Sequence, residues 1–515
     1  MKTSATIKRL MGIAVCLLLL APTASMAQET KEKTGKLPIT TSSLEAKRLF
    51  IEGRDAMELL QFTKAIDRLD EAIRIDPKFA QAHLYLSVSK TGMKYFDPEE
   101  LEHAVKYAPM ASPGERDLIH FANAYIERDN QKMEKYLDKL SKSYDTDERV
   151  HSWIGMYYYD KADYTRALRH FNRARFMNSN HHFAVRMIGY ANMGMAYAGR
   201  RVGSPETDTE IVYEEMDQLG EAKKAFKDYI DMRPDNAAPY DAYGEYLGRR
   251  GKFSAAIRYY EKALKINPEF TTSYKGLADN YLFRGDFLRA RENYKKYFNK
   301  SFNTPDQFQA LLLEASVELQ EDNTTAAMKV MDQYIDLAEK KNLPRYKIYG
   351  LAHKGYILSE TGNPREGLRY YRQAKKMVNQ EDLDESYRTF LDKQTNIWEF
   401  YGLVSNGNME EAEVARQRSL ADISEKTNVD QWKLYQASCG IMEIKKGNYR
   451  EARKHLQDSW ENMPMVWYYM GLSWEKSGNK NRASHWYEKV ANHYVNSLEM
   501  GAVRNKALAG LKKNK

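Results

Sequence analysis

One stretch of this chain is written twice at a fixed offset of 34 residues. Tyr240, Arg250-Gly251-Lys252-Phe253, Ala256 and Tyr260 return as Tyr274, Arg284-Gly285-Asp286-Phe287, Ala290 and Tyr294. A period of that length corresponds to one helix-turn-helix unit. Such a unit cannot bury its apolar face alone, so its neighbours must stack on it. Small residues at Gly244 and Ala256 let two antiparallel helices approach, aromatic side chains fill the gaps, and Pro268 ends the second helix.

Other copies keep the same phase. Gly53, Ala65, Leu69, Ala72 and Pro77 form the first; Gly155, Tyr158, Ala167, Phe171 and Ala174 a second; Gly471, Trp474, Gly478, Ala483 and Tyr487 the last. Weaker units lie between them, and two near 80–147 match poorly, which makes about twelve in all. A turn recurs as Gly362-Asn363, Gly407-Asn408, Gly447-Asn448 and Gly478-Asn479, where glycine ends one helix and the chain reverses. The pattern resembles the tetratricopeptide repeat. The resemblance implies an all-α, right-handed superhelical solenoid of antiparallel helix pairs.

Departures from the period mark where this chain differs from the ideal. The intervals Gly362 to Gly407 and Gly407 to Gly447 are long, so the last third should carry longer helices or connections. A larger break, near 199–218, predicts an insertion that serves either as a contact arm on one face or as a tolerated loop. The expected layout is therefore a flexible polar linker over 28–43, a solenoid over 44–491 and a capping helix over 492–515, with Ala502, Val503, Ala507 and Leu508 on its apolar side.

Residues 1–27 read as a signal peptide. Lys2, Lys8 and Arg9 precede the apolar run Leu10–Leu20, and Ala24-Ser25-Met26-Ala27 supplies the small residues of a cleavage site after Ala27. Val15 before Cys16 argues against a lipid anchor, and the expected location is periplasmic or secreted. No second apolar stretch follows, and the mean hydropathy of -0.71 excludes a multi-spanning membrane protein. Losing Lys2, Lys8 and Arg9 takes three charges off a net of +8 and leaves +5, too mild to point to nucleic acid. Cys439 is then the one remaining cysteine, so no internal disulfide can form.

Chemistry is sparse. There is no phosphate-binding glycine loop, no H-E-x-x-H, no G-x-S-x-G and no cysteine pair, so neither a catalytic centre nor a metal or cofactor is expected. His181-His182 falls between helix hairpins and reads as a solvated loop; Cys439 reads as a core thiol. Binding remains. By the resemblance, residues two, five, nine, twelve and thirteen of each first helix line a concave groove. That assigns Arg149 and Tyr159, then Arg186 and Tyr190, then Asp241 and Glu245, then Lys275 and Asp279. Such a mixture of charged and aromatic side chains suits a protein partner, as an extended peptide or a helix. Phe50 and Arg54 stand where chaperone-tail-binding members begin their two-carboxylate clamp, so that subclass is not implied. Two other readings stand beside the scaffold: an accessory of polysaccharide export, with tyrosines stacking on glycan, and an enzyme built across 199–218, where Glu206, Asp208, Glu210, Glu214 and Glu215 lie.

Overall fold

The computed structural model describes residues 35–93, 95–198, 218–425, 428–460 and 462–514. The expected signal peptide lies outside them, as does the expected insertion apart from Gln218.

The described residues form twenty-five α-helices. The first eight are α1 (Leu44–Glu58), α2 (Phe62–Ile75), α3 (Ala80–Lys90), α4 (Pro98–Tyr107), α5 (Pro113–Glu127), α6 (Asn130–Ser143), α7 (Glu148–Asp160) and α8 (Tyr164–Met177). The next eight are α9 (His182–Ala198), α10 (Gln218–Met232), α11 (Ala237–Arg249), α12 (Phe253–Ile266), α13 (Thr271–Phe283), α14 (Phe287–Lys300), α15 (Thr304–Gln320) and α16 (Thr324–Lys340). The last nine are α17 (Pro344–Glu360), α18 (Pro364–Val378), α19 (Glu385–Asn406), α20 (Met409–Asp422), α21 (Val429–Lys446), α22 (Tyr449–Gln457), α23 (Pro464–Lys476), α24 (Lys480–Ala491) and α25 (Leu498–Asn514). Each odd-numbered helix up to α23 packs on the even-numbered one after it, and the pairs stack in tandem into an all-α solenoid. Most odd-numbered helices also touch an odd-numbered neighbour, while among the described residues no comparable contact joins the even ones, so the odd set lines the inside of the curve.

The glycine phasing is a packing rule. A Cβ on Gly155 would meet the Phe171 ring at 2.6 Å, one on Gly355 the Tyr371 ring at 2.8 Å and one on Gly471 the Tyr487 ring at 2.6 Å. In each pair the large side chain comes sixteen residues after the glycine, from the outer helix of the same hairpin. Burying a ring of that size contributes about 2–3 kcal/mol, and the glycine is what lets the ring lie flat against a backbone. At Gly189 the partner is Phe226, so the longer spacing there is absorbed between α9 and α10 while the contact itself is kept. Gly407 and Gly447 end α19 and α21 at φ 86 and φ 85, the left-handed conformation that turns the chain into the next helix. The long intervals of the last third are spent in helix: α19 has 22 residues and α21 has 18, against 13 in α11 and α13.

At the ends of the solenoid the expected linker is corrected over 35–43, and the expected cap makes a further contact. Residues 35–43 are pinned in place: the Leu37 amide donates to Asp147 at 2.7 Å, the Thr40 amide to Glu115 at 2.8 Å, and Thr41 to Asp76 at 2.5 Å. Carboxylates at the starts of α7 and α5 satisfy backbone groups that a linker would leave to water. At the other end, α25 packs on α23 and α24 as a terminal helix should, and also on α15, far back in the chain. Asn496 just before it accepts from Ser316 at 2.6 Å and donates to the Tyr294 hydroxyl at 2.8 Å. Helix α25 is therefore a clasp between the middle and the end of the solenoid.

Candidate functional site

The inner surface is different in character in its first part, its middle and its last part. Among the first units, α1, α3, α5 and α7 leave a recess with about 120 Å³ of room, comparable with cavities that hold one benzene ring. Met57, Phe96, Phe121, Trp153 and Met156 wall it, and Phe183 of α9 closes one end. The Phe96 and Trp153 rings stack at 6.2 Å. Arg149 lines the same recess and is held by three carboxylates: Glu58 at 2.9 Å, Asp55 at 3.2 Å and Glu148 at 3.2 Å. Burial pushes the Glu58 carboxyl above the usual range despite Arg149 and Arg54 beside it.

In the middle, helices α7 to α13 gather most of the other expected groove residues into one network. The Tyr190 hydroxyl donates to Glu245 at 3.1 Å, Arg249 grips the same carboxylate at 2.8 Å, and Lys275 pairs with Asp279 at 3.4 Å. Burial works against ionising Glu245, yet Arg249 and Lys275 hold its carboxyl below the ordinary value. Tyr159 stands on the edge of this network, its hydroxyl pushed up to about 12 by burial and by the charge of Glu245. The side chains of Glu245 and Arg249 keep about a third of their surface open to solvent, which leaves them accessible to a partner.

Two expected groove residues do not lie on that open surface. Asp241 is buried, accepts a hydrogen bond from Ser273 at 2.7 Å, and has its carboxyl pushed up to about 7 by burial and by Glu245. Arg186 is buried as well, folded over the Phe183 ring at 5.0 Å. The helix-position rule places their Cα atoms on the inner side, but neighbouring inner helices approach too closely there for the side chains to reach the surface. His181-His182 is likewise corrected from a solvated loop to a buried pair. His181 bonds Ser152 at 2.8 Å, and burial pulls the two imidazoles down to about 4 and about 3.

In the last part the inner surface is occupied by the chain itself. Glu360 of α17, 1% exposed, accepts from the Tyr401 hydroxyl, from the Tyr469 hydroxyl at 2.7 Å, and pairs with Lys506 of α25 at 2.6 Å. Of the aromatic runs Tyr157-Tyr158-Tyr159 and Trp467-Tyr468-Tyr469, the first residue of each is core and the other two are half-buried. Tyr157 and Trp467 are buried, and Tyr468 stacks on Tyr487 at 5.9 Å. Cys439 is buried, its thiol pushed up to about 12 by desolvation.

The recess was not found from the repeat pattern. Tyr85, Phe96, Phe121 and Tyr125 lie in the poorly matched units over 80–147, where Gly92 and Gly114 stand outside the repeat position and gave nothing to number from. A local signal was present in Ser112-Pro113-Gly114-Glu115, a complete capping box that fixes the start of α5 and hence the phase of Phe121 and Tyr125.

Tandem hairpins with a binding surface and little chemistry define an interaction scaffold of the repeat class. Family models described as tetratricopeptide repeat match residues 237–270 and 275–342. The chain thus carries tetratricopeptide repeats, and proteins built of such repeats in general serve as scaffolds that hold other proteins. No curated protein sequence matches it. Among solved structures, a tetratricopeptide repeat protein from Parabacteroides merdae is 18% identical over 58% of this chain and 92% of its own, with a TM-score of 0.32. The MamA protein is 17% identical over 38% of this chain and 93% of its own, with a TM-score of 0.27.

Proposed function

We propose that the protein is exported on removal of residues 1–27 and works in the periplasm or outside the cell as a scaffold whose inner surface holds a peptide or helix of a partner protein. The observation that carries this reading is the recess beside Arg149, continuous through Phe183 with the helices of the charged network. Aromatic and methionine walls around a space of one ring suit an apolar anchor residue. The flanking Tyr190, Glu245, Arg249, Lys275 and Asp279 suit the polar groups on either side of that anchor. Among the described residues no group of three or more His, Cys, Asp or Glu is placed to hold a metal ion, and no helix is long and apolar enough to cross a membrane.

The test is capture from an envelope extract by the wild-type chain, by Met156→Arg in the recess, and by a Tyr190→Ala, Glu245→Ala, Lys275→Ala variant. A partner retained by the wild type and lost by either variant supports the reading; one retained equally by all three moves recognition to the outer helices. Fractionation completes it: a chain beginning at Gln28 outside the cytoplasm is expected, and an unprocessed cytoplasmic chain would refute the export half.

A further inference from the structure

We propose that Arg186, Tyr229 and His182 form a binding site for a carboxylate, buried within the hairpin of α9 and α10. Arg186 is 4% exposed, its Nη1 has no hydrogen-bond partner among the described residues, and none of them forms an ion pair with it. The guanidiniums of Arg149, Arg249 and Arg291 each face carboxylates instead. The Tyr229 hydroxyl, 0% exposed, lies beside the Arg186 guanidinium, which can donate to its oxygen and leaves its proton without an acceptor, and Nδ1 of His182, 9% exposed, lacks a partner. The His182 and Tyr229 rings stack at 6.3 Å, and the charge of Arg186 is felt at both.

A buried cation with nothing opposite it is strongly unfavourable, and a buried donor left unpaired adds to the cost. Here three such groups sit together. His182 is neutral at pH 7, because burial, with Arg186 and Arg233 adding, draws it down to about 3; with its proton on Nδ1 it is a donor. The guanidinium then offers donors alone, the phenol a proton as well as an accepting oxygen, and the imidazole a proton on Nδ1. The charged neighbours do not answer them: Asp241, whose charge is felt at Tyr229, accepts from Ser273, and Arg233 lies toward Asp235 at 3.8 Å. The planar fork of a guanidinium matches a carboxylate in shape, and a phenol and an imidazole N–H supply further donors to its oxygens. Because Arg186 lies over Phe183, which closes the recess, the carboxylate can arrive free or on a partner seated there.

The experiment titrates acetate, N-acetyl-tryptophan and N-acetyl-tryptophanamide into the full chain by calorimetry, with melting temperatures followed in parallel, for the wild type, Arg186→Gln and Tyr229→Phe. At least one of the two carboxylates should bind, with the amide about tenfold weaker, and both variants should lose about fivefold or more in affinity. In carboxylate-free buffer Arg186→Gln should melt no lower than the wild type, since it removes an unpaired buried charge. Equal binding of acetate and N-acetyl-tryptophan would identify free anions as the source; preference for N-acetyl-tryptophan would identify a partner in the recess. The proposal is overturned if acid and amide bind alike, if neither carboxylate binds, if Arg186→Gln binds them as the wild type does, or if that variant melts lower without them. None of these outcomes touches the scaffold reading, which stands or falls on capture through Met156 and the Tyr190 network.

Discussion

Replacing Glu360 with alanine should loosen the clasp without unfolding the solenoid. The carboxylate is buried and accepts from the hydroxyls of buried Tyr401 and half-buried Tyr469, and from Lys506. Orphaning a buried hydroxyl costs about 1–3 kcal/mol, so the two tyrosines together lose about 3 kcal/mol. Lys506 keeps about a third of its surface in water, and losing that pair adds under about 1 kcal/mol. The contacts of a solenoid run mainly between neighbours, so the loss should be felt locally, in α17, α23 and α25, and should not appear as one shift of a global transition. The assay is native-state hydrogen exchange on the full chain. A local loss of about 3 kcal/mol speeds exchange about 150-fold in α25, while amides of α1 to α8 keep the wild-type rate. An α25 whose exchange changes less than about fivefold would mean that the Glu360 contacts contribute little and that the clasp rests on apolar packing alone.

Asp241→Asn tests the buried carboxyl. Its pKa rises on folding from 3.8 to about 7, so the folded state favours the protonated form; the cost of ionising it is absent below about pH 4 and complete above pH 7. The variant should match the wild type at pH 4 and exceed it by roughly 4 kcal/mol at pH 8, and a difference constant across that range in denaturant melts would refute the shift. Gly276→Ala puts a Cβ at 2.2 Å from the Tyr260 ring, which is itself buried, and should destabilise by about 1–3 kcal/mol despite the better helix propensity of alanine; an unchanged melting temperature would show that the ring can move. Cys439, buried with its thiol near 12, should resist a disulfide reagent in the native chain at pH 8 and react fully in denaturant, and prompt native reaction would place it at the surface.

The sequence made the hairpins legible because each unit states its own packing: a glycine, and sixteen residues later the ring or leucine that covers it, as in Gly53 with Leu69 and Gly440 with Leu456. Tyr190, Glu245, Lys275 and Asp279 could be numbered from those glycines and do meet on the inner side. Depth could not be read in the same way. Position on a helix says which way a Cβ points, whereas the burial of Arg186 and Asp241 depends on how closely two successive inner helices approach. The recess walls were hidden because α3 to α6 keep the hairpin and drop the glycine signature. The return of α25 to α15 was hidden because its determinants, Asn496, Ser316 and Tyr294, are ordinary polar residues that acquire meaning only once the chain has brought α25 back against α15.

That return has a consequence for how the chain is made and how it can change. Ser316 and Asn496 are 180 residues apart, so at 5–20 residues per second the inner face of α15 waits roughly 10–40 s after its own synthesis for its cover. A message stopped short of α25 would release a chain with that face bare. Over generations, a single hairpin gained or lost between α15 and α25 would swing the last helix away from its seat, so this half of the molecule should hold its repeat number fixed while the half before α15 remains free to vary.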